Sequence, residues 1–337
     1  MFLIQHRVKV GVMQHNLATR EDDISWKTAV GGEDQEILAG LMADPMYLSS
    51  KFFYDEVGSK LFEEITRLDE YYVSRTEKSI LEANAGEIMS GADHASVVEL
   101  GSGDCSKISI LLSALGQETL KTVTYVPFDV SMSAIEDSGC RLREKFGSVE
   151  ISAVVADFMD HIHLVSQHEK RVFCFFGSTI GNQDRGHAVR FLENLGKLMR
   201  SGERLLLGLD MVKDRNILEK AYNDTEGITA RFNKNILEVT NHTIGTDFDT
   251  EEFEHRAFFH EEKQRIEMHL VARKDVTITS PFFDGTLGIQ KGDSIHTENS
   301  HKFTTDHIDE MASLSGLSVR NAYADNNDWF TLVDYVK

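Results

Sequence analysis

In the stretch VVELGSGDCSK, residues 97–107, an acidic residue interrupts an apolar run, and two glycines then flank Ser102. This pattern is typical of a buried strand that turns tightly into a helix. A dinucleotide fingerprint, Gly-x-Gly-x-x-Gly, would have a third glycine at the sixth position, where this chain has Ser106. The stretch therefore predicts either a generic tight turn or a loop that holds a nucleoside ligand without a pyrophosphate.

Apolar strands and amphipathic helices alternate on both sides of this loop. Residues 76–91 have the apolar periodicity of a helix, Ser106 could cap the helix after the first strand, and a further helix is predicted from Ser131 to about Phe146. Such alternation indicates a parallel sheet covered on both faces, with ligands beyond the carboxyl ends of its strands. The five predicted strands span residues 95–100, 122–130, 149–158, 171–178 and 203–212.

The pattern changes at Lys213. Residues 213–243 have helical periodicity, and residues 253–278 alternate like a β-hairpin around a charged turn. After a further helix at about 304–315, two strands return to complete the sheet, and one of them is predicted to be antiparallel. We therefore interpret residues 213–301 as a lobe inserted into the sheet domain.

The net charge and the cysteine content of the chain limit the kinds of binding partner and cellular compartment that are expected. The chain has 337 residues, 41% of them hydrophobic, and a formal net charge of -20. That charge repels phosphate backbones, so nucleic acids and anionic membrane surfaces are poor partners, and a small cationic or zwitterionic ligand fits better. Three scattered cysteines give neither a disulfide framework nor a zinc pair, and we find no signal peptide or membrane-spanning run; both observations favour the cytoplasm.

The predicted strand ends carry residues suited to an adenosine group. Asp129 follows the first glycine by 28 residues, and a carboxylate there can accept hydrogen bonds from a ribose diol. Asp157 can accept from an exocyclic amine while the ring of Phe158 packs on the base. Each feature alone also occurs in turns and helix caps. Together they favour S-adenosylmethionine over a nicotinamide cofactor.

Metal binding and serine hydrolysis find little support. His161 and His163 could place two ligands on one face, but no third ligand is evident, and a solvated loop is favoured. Ser178 lies in FGSTIG and does not form a Gly-x-Ser-x-Gly elbow. We predict no metal. Met268, at strand alternation, is interpreted from the pattern as a core residue.

Several segments nevertheless occur in an order that resembles a known family, the L-histidine Nα-methyltransferases of ergothioneine biosynthesis, including the homologous domain at the start of the fungal enzymes. The resemblance runs from about Tyr47 to the C-terminus, and FGSTIGN and the AYND…TARFN block are its most specific parts. The segments are YYVSRTE (71–77), ELGSGDCSK (99–107), YVPFDVS (125–131), ADF (156–158), FFGSTIGN (175–182), LGLDMVKD (207–214), AYNDTEGITARFNKNIL (221–237), IEMHL (266–270) and HTENSHKF (296–303).

The resemblance implies a class I, Rossmann-like α/β methyltransferase sheet with an inserted substrate lobe of helices and a small antiparallel sheet. The implied domains are a disordered lead at 1–25, part of the substrate lobe at 26–75, a cofactor-binding domain at 76–212 and 302–337, and the inserted lobe at 213–301. The cofactor role falls on Tyr54, Gly101, Lys107, Asp129, Asp157 and Phe158. The amino-acid role falls on Tyr71, Gly177, Asn182, Tyr222, Met268, Glu298 and Ser300.

The implied reaction is displacement at the sulfonium methyl by the neutral α-amine of histidine, three times in succession, in a protein predicted to be monomeric. Tyr54 and the Gly177 carbonyl would orient the amine, and Asn182 and Tyr222 would fix the carboxylate. Tyr71, Glu298 and Ser300 would hold the imidazole, since a buried carboxylate needs such a partner. The alternatives are the same chemistry on tryptophan or a histidine derivative, and a catalytically silent protein that binds S-adenosylmethionine.

Overall fold

An eight-stranded sheet forms the centre of the computed structural model, which describes residues 24–29, 32–165 and 170–337. Residues 1–23 of the predicted lead lie outside the described residues. The strands are β1 (Ile24–Ala29), β2 (Ala95–Leu100), β3 (Thr124–Asp129), β4 (Glu150–Ala156), β5 (Lys170–Phe175), β6 (Arg204–Asp210), β7 (Phe253–His260), β8 (Arg265–Ala272), β9 (Val276–Ile278), β10 (Leu287–Ile289), β11 (Ser294–His301), β12 (Ser318–Ala324) and β13 (Phe330–Val336).

The strand order of the central sheet is β1-β4-β3-β2-β5-β6-β13-β12. Six strands are parallel, while β13 runs antiparallel to both β6 and β12. The order reverses at β2, which has β3 on one side and β5 on the other, so the crevice of a doubly wound sheet opens at the carboxyl end of β2. The predicted α/β class and the antiparallel return strand are confirmed.

Helices cover both faces of the sheet. Several begin at a residue whose side chain accepts a hydrogen bond from the first turn, as Ser131 does for α6 and Asp184 does for α8. The helices are α1 (Glu33–Leu41), α2 (Glu56–Ile65), α3 (Tyr72–Ile88), α4 (Ser106–Ser113), α5 (Gln117–Leu120), α6 (Met132–Lys145), α7 (Phe158–His161), α8 (Arg185–Leu198), α9 (Arg215–Tyr222), α10 (Ile228–Ile244) and α11 (Thr305–Ser315).

Two local predictions were wrong, and a third was correct but coarse. Residues 24–25, assigned to a disordered lead, and residues 26–29, assigned to the substrate lobe, belong to β1, which pairs in parallel with β4 at the edge of the central sheet. Ser106 does not cap α4: it is the first helical residue, and the Oδ1 atom of Asp104 accepts hydrogen bonds from its backbone N–H and its hydroxyl. The helical segment 213–243 consists of two helices, because Gly227, at a φ of 68°, begins a second one.

The inserted lobe leaves and rejoins the sheet domain at neighbouring points. The backbone N–H of Phe303 donates to the carbonyl of Asp210 at 2.9 Å, and that of Val212 donates back to the carbonyl of Phe303 at 2.9 Å. Between these residues, β7, β8 and β11 form a three-stranded antiparallel sheet in the order β11-β8-β7, and β9 pairs with β10. The predicted small antiparallel sheet is thereby confirmed.

The segment between β1 and α3 packs on this lobe. Phe53 lies with its ring centroid 4.6 Å from that of Phe232 on α10, and Asn235 of α10 donates to Asp55 at 2.8 Å. Leu48 donates its backbone N–H to the carbonyl of His296 on β11 at 2.9 Å. This segment therefore closes over the crevice at the end of β2 from the side of the lobe. Across the described ranges, no helix is long and apolar enough to cross a membrane.

Candidate active site

The glycine loop after β2 lies at the point where the strand order reverses. Gly101 and Gly103 have φ angles of 72° and 48°, in the left-handed region that favours glycine. The backbone N–H of Gly101 donates to the carbonyl of Phe128 at 2.8 Å, and that of Gly103 donates to the Oδ2 atom of Asp129 at 3.3 Å. The end of β3 thus fixes the loop, and Asp129 faces the same crevice as the two glycines.

The two strand-end acids differ in their surroundings. Burial raises the pKa of Asp129 above its ordinary value, although its carboxylate accepts backbone N–H bonds, including one from Ser131 at 3.0 Å. Asp157 uses its Oδ1 atom to accept from the backbone N–H of Met159 at 3.0 Å, while its Oδ2 atom lies 3.5 Å from the ammonium of Lys51. Each carboxylate therefore faces the crevice in a fixed orientation.

One deep cleft contains every residue predicted to bind the cofactor. Its walls also include the hydroxyl of Ser102, which is buried and has no hydrogen-bond partner among the described residues. A buried hydroxyl without a partner, beside two glycines and an acid, fits a polar ligand such as the amino-acid end of S-adenosylmethionine. The predicted cofactor residues on the cleft wall are Tyr54, Gly101, Lys107, Asp129, Asp157 and Phe158.

A second, smaller cavity adjoins this cleft and contains every residue predicted to bind the amino acid. The two spaces share a wall, which includes Tyr54, Tyr71, Gly177 and Asn182. A molecule in the smaller cavity can therefore reach one in the cleft at these residues. The predicted residues that line the cavity are Tyr71, Gly177, Asn182, Tyr222, Met268, Glu298 and Ser300.

A β-bulge directs Glu298 into this cavity. The register between β11 and β8 shifts between His296 and Glu298, so that Thr297 and Glu298 are both buried although they are consecutive. Glu298 then pairs with Met268 on β8, whose side chain lines the same cavity. Burial raises the pKa of Glu298 to about 8, with Lys302 opposing the shift, so the carboxyl group is mostly protonated at neutral pH.

Gly177 lies on the wall that the cleft and the cavity share, and its N–H is engaged by a side chain of α3. Both carboxylate oxygens of Glu77, on α3, accept from the backbone N–H of Gly177, at 2.8 and 3.1 Å. Glu77 is fully buried, and its partner is the ammonium of Lys107 at 2.6 Å. Gly177 has a φ of 75°, and a Cβ atom there would lie 3.2 Å from the Nζ atom of Lys107. Glycine is therefore the residue that fits between the cleft and the cavity.

The three tyrosines of the cavity remain protonated. Burial, reinforced by the charge of Glu298, raises the pKa of Tyr54 and Tyr222 well above 10, and burial together with Tyr222 does the same for Tyr71. A neutral phenol can donate its hydrogen or accept at its oxygen, but it is a poor general base. These side chains can therefore orient a ligand by hydrogen bonds but are poorly suited to removing its protons.

Sequence reasoning missed several residues of the site. Glu77 and Lys302 lie inside segments that carry the family resemblance, yet neither was given a role. Phe62, Thr229 and Phe232 also line the smaller cavity. A signal for Glu77 was available, because an acid on the buried face of α3 requires a partner.

The described residues form no metal centre, and the cysteine of the glycine loop is not an activated thiol. The described residues contain no group of three or more His, Cys, Asp or Glu that could hold a metal ion. His161 and His163, with ring centroids 6.0 Å apart, belong to α7 and the short 3₁₀ turn that follows it. Burial raises the pKa of the Cys105 thiol to about 11, so it stays protonated at neutral pH.

Comparison with known proteins agrees with this geometry. The family described as histidine-specific, S-adenosylmethionine-dependent methyltransferases matches residues 33–337. The histidine N-alpha-methyltransferase of Mycolicibacterium smegmatis is 38% identical over 297 residues, which cover 88% of this chain and 90% of that protein. Ergothioneine biosynthesis protein 1 of Neurospora crassa is 27% identical over 304 residues, which cover 85% of this chain but 32% of that longer protein.

Among solved structures, a possible exported protein from Bordetella parapertussis has a TM-score of 0.50 at 10% identity, with 85% of each chain covered, which supports the fold alone. The family match spans both the sheet that forms the cofactor cleft and the lobe that completes the smaller cavity. This chain therefore belongs to the S-adenosylmethionine-dependent, histidine-specific methyltransferase family.

Proposed function

We propose that this protein transfers methyl groups from S-adenosylmethionine to the α-amino nitrogen of free L-histidine, in three successive steps that end in the trimethyl betaine. The observation that carries the proposal is the smaller cavity. It collects hydroxyl groups, an amide and a carboxyl group around one space, and it shares Tyr54, Gly177 and Asn182 with the wall of the cofactor cleft.

Each end of the substrate has chemically suitable partners. The amide of Asn182 and the hydroxyl of Tyr222 are donors for the α-carboxylate. At the ring end, Glu298 and the hydroxyls of Tyr71 and Ser300 can pair with the two imidazole nitrogens, and Met268 packs against the ring. This division orients the α-amine toward the wall that the cavity shares with the cleft.

Beyond this orientation, the chemistry requires a neutral amine. Each transfer releases S-adenosylhomocysteine, and each of the first two leaves an ammonium group whose proton passes to solvent before the next transfer. Bound in the cleft, S-adenosylmethionine supplies a methyl group already activated by its sulfonium sulfur. The oxygen of Tyr54 and the carbonyl of Gly177 can accept N–H bonds from the amine, so that its lone pair is directed across the shared wall. Holding the reacting atoms in line contributes much of the rate. Because the amine loses its N–H groups as methyls are added, contacts through water suit the later steps.

Mass spectrometry of histidine incubated with the enzyme and S-adenosylmethionine tests the proposal. We expect mono-, di- and trimethylated histidine to appear in turn, with the trimethyl product accumulating. Histamine, which lacks the carboxylate, and tryptophan, which replaces the imidazole, serve as comparison substrates and should be poor ones. Preferred methylation of tryptophan would reject the histidine assignment. Cofactor binding in calorimetry without methylation of any amino acid would reject the enzyme activity.

A further inference from the structure

A buried ammonium group lies behind the smaller cavity without lining it. Lys302 follows β11 and is fully buried. Its Nζ atom lies 2.7 Å from the Oδ2 atom of Asp210, at the end of β6, where Asp210 is also fully buried. A buried charge is costly unless it is paired and hydrogen-bonded, so the position requires a reason beyond packing.

The remaining contacts of Lys302 are made with two hydroxyl groups that line the cavity. Its Nζ atom donates to the Oγ atom of Ser300 at 2.8 Å and to the hydroxyl oxygen of Tyr222 at 3.1 Å. An ammonium group has three hydrogens, and Asp210, Ser300 and Tyr222 account for all of them. Tyr222 in turn donates to Ser300 at 2.7 Å. Lys302 is therefore saturated as a donor and reaches a ligand through these hydroxyls.

Asp210 holds this lysine in place. Although burial raises the pKa of Asp210, the charges of Lys302 and Lys213 bring it below its ordinary value, so the carboxylate is ionised. Its other oxygen accepts from the Lys213 ammonium, and the Tyr72 hydroxyl donates to it at 2.8 Å. Two cations thus flank one carboxylate. One of them contacts Tyr72 on α3, and the other contacts the hydroxyls of the cavity.

We propose that Lys302 is a positioning residue for the amino-acid substrate: because it already donates to the oxygens of Tyr222 and Ser300, the hydrogen that Tyr222 gives to Ser300 can turn to a bound ligand, as can the hydrogen of Ser300. An oxygen whose lone pair receives an N–H from lysine offers its own hydrogen in another direction, here the carboxylate and a ring nitrogen of histidine. The positive charge behind Tyr222 also favours the carboxylate end. This inference rests on the proposed substrate.

The test compares Lys302→Met with Lys213→Met. Each substitution removes one of the two cations beside Asp210, but Lys302 alone of the pair contacts the cavity hydroxyls. Titration calorimetry would measure the dissociation constants of histidine, in the presence of S-adenosylhomocysteine, and of S-adenosylhomocysteine alone. For Lys302→Met we expect histidine to bind at least about tenfold more weakly, as is usual for the loss of charge-assisted hydrogen bonds. Cofactor-product binding should be unchanged, and Lys213→Met should bind histidine like the wild type.

Adding Lys302→Met to a double mutant without the two hydroxyls distinguishes a positioning role from an effect on general stability. If Lys302 acts through Tyr222 and Ser300, then Lys302→Met should have little further effect in a protein that already carries both Tyr222→Phe and Ser300→Ala. Equal losses of histidine binding in Lys302→Met and Lys213→Met, or an undiminished effect in the protein without the two hydroxyls, would overturn the proposal. Lys302→Gln, which keeps a neutral donor, is the second variant. If neither Lys302 variant folds, the lysine is structural and the proposal is wrong.

Histidine binding by the wild-type enzyme distinguishes a failure of this inference from a failure of the proposed function. If the unaltered enzyme does not bind histidine at all, the proposed function is wrong. If the wild type binds histidine and the Lys302 variants bind it equally well, the function stands and the positioning role is wrong.

Discussion

Replacing Glu298 with alanine should weaken histidine binding strongly while leaving cofactor binding intact. The carboxyl group is 8% exposed and lines the smaller cavity, and it is absent from the walls of the cofactor cleft. Among the described residues it is the one acidic side chain on the cavity wall. When its proton passes to the imidazole, a carboxylate accepts from an imidazolium and the bond to the ring is charge-assisted.

The size of the effect follows from that bond. Hydrogen bonds to charged groups contribute about 1.5 to 3 kcal/mol, and about 1.4 kcal/mol corresponds to a factor of ten. We therefore expect the dissociation constant of histidine to rise about 10- to 150-fold in Glu298→Ala. Glu298→Gln keeps the volume and one hydrogen-bonding group but no titratable proton, so its loss should be smaller.

Calorimetry with histidine, in the presence of S-adenosylhomocysteine, measures this difference, and a titration with S-adenosylhomocysteine alone is the control. Thermal unfolding checks that the variants are folded. The imidazole assignment is refuted if affinity for histidine and for the cofactor product fall together, or if neither changes.

Three further predictions concern the cleft, the pH dependence and the shared wall. Asp129→Asn should weaken S-adenosylhomocysteine binding about tenfold, because the amide accepts fewer hydrogen bonds from a ribose diol; unchanged binding in calorimetry would remove Asp129 from the cofactor site. The pKa of Glu298 is raised from 4.5 to about 8, so the native state holds a proton that the unfolded chain releases, and the free energy of unfolding should fall as pH rises from about 4.5 to about 8. The pKa of Glu99 is also raised to about 8, so Glu99 contributes to the same decline. Chemical denaturation of the wild type and of Glu298→Gln separates the two contributions, because the free energy of unfolding should fall less steeply with pH in the variant; equal slopes in the two proteins would contradict the shift assigned to Glu298. Glu77→Gln should lower kcat more than it raises KM for histidine, because it loosens the Gly177 N–H and Lys107 together; wild-type kinetics would show that this carboxylate does not position the shared wall.

The cofactor side of the site could be predicted from local pattern. Parallel strands bring their carboxyl ends to one edge of a sheet, so Gly101, Asp129 and Asp157 converge whatever the details of the helices between them. The structure places all three on the wall of one cleft. The serine at the sixth position of the motif was also informative, because it replaces the glycine that a pyrophosphate-binding loop would have. Ser106 is the first residue of α4, and its backbone N–H donates to the side chain of Asp104.

The substrate side could not be predicted from pattern. Alternation along β8 assigns Met268 to the core, and it is indeed 1% exposed, yet its side chain also lines the cavity. The bulge at Thr297 interrupts the alternation of β11, so periodicity alone does not show which face Glu298 occupies. Only the family resemblance singled out these positions, and the cavity gives them a common physical setting.

Some features depend on partners far away in the sequence. β1 is a strand because β4, more than a hundred residues later, pairs with it along its whole length. From its position after a strand, Lys302 would be predicted to be a surface lysine. It is buried because it pairs with Asp210, which ends β6 at the point where the inserted lobe rejoins the sheet domain. Contacts of this kind are set by tertiary packing and leave no local signal.

A crystal structure of the protein with both histidine and S-adenosylhomocysteine would test the central claim most directly, since it would locate both ends of the substrate relative to the donor sulfur. We expect the imidazole against Glu298 and Ser300, the carboxylate at Asn182 and Tyr222, and the α-nitrogen facing the sulfur across the wall formed by Tyr54 and Gly177. Histidine bound with its ring away from Glu298, or with its α-nitrogen turned from the sulfur, would contradict the account.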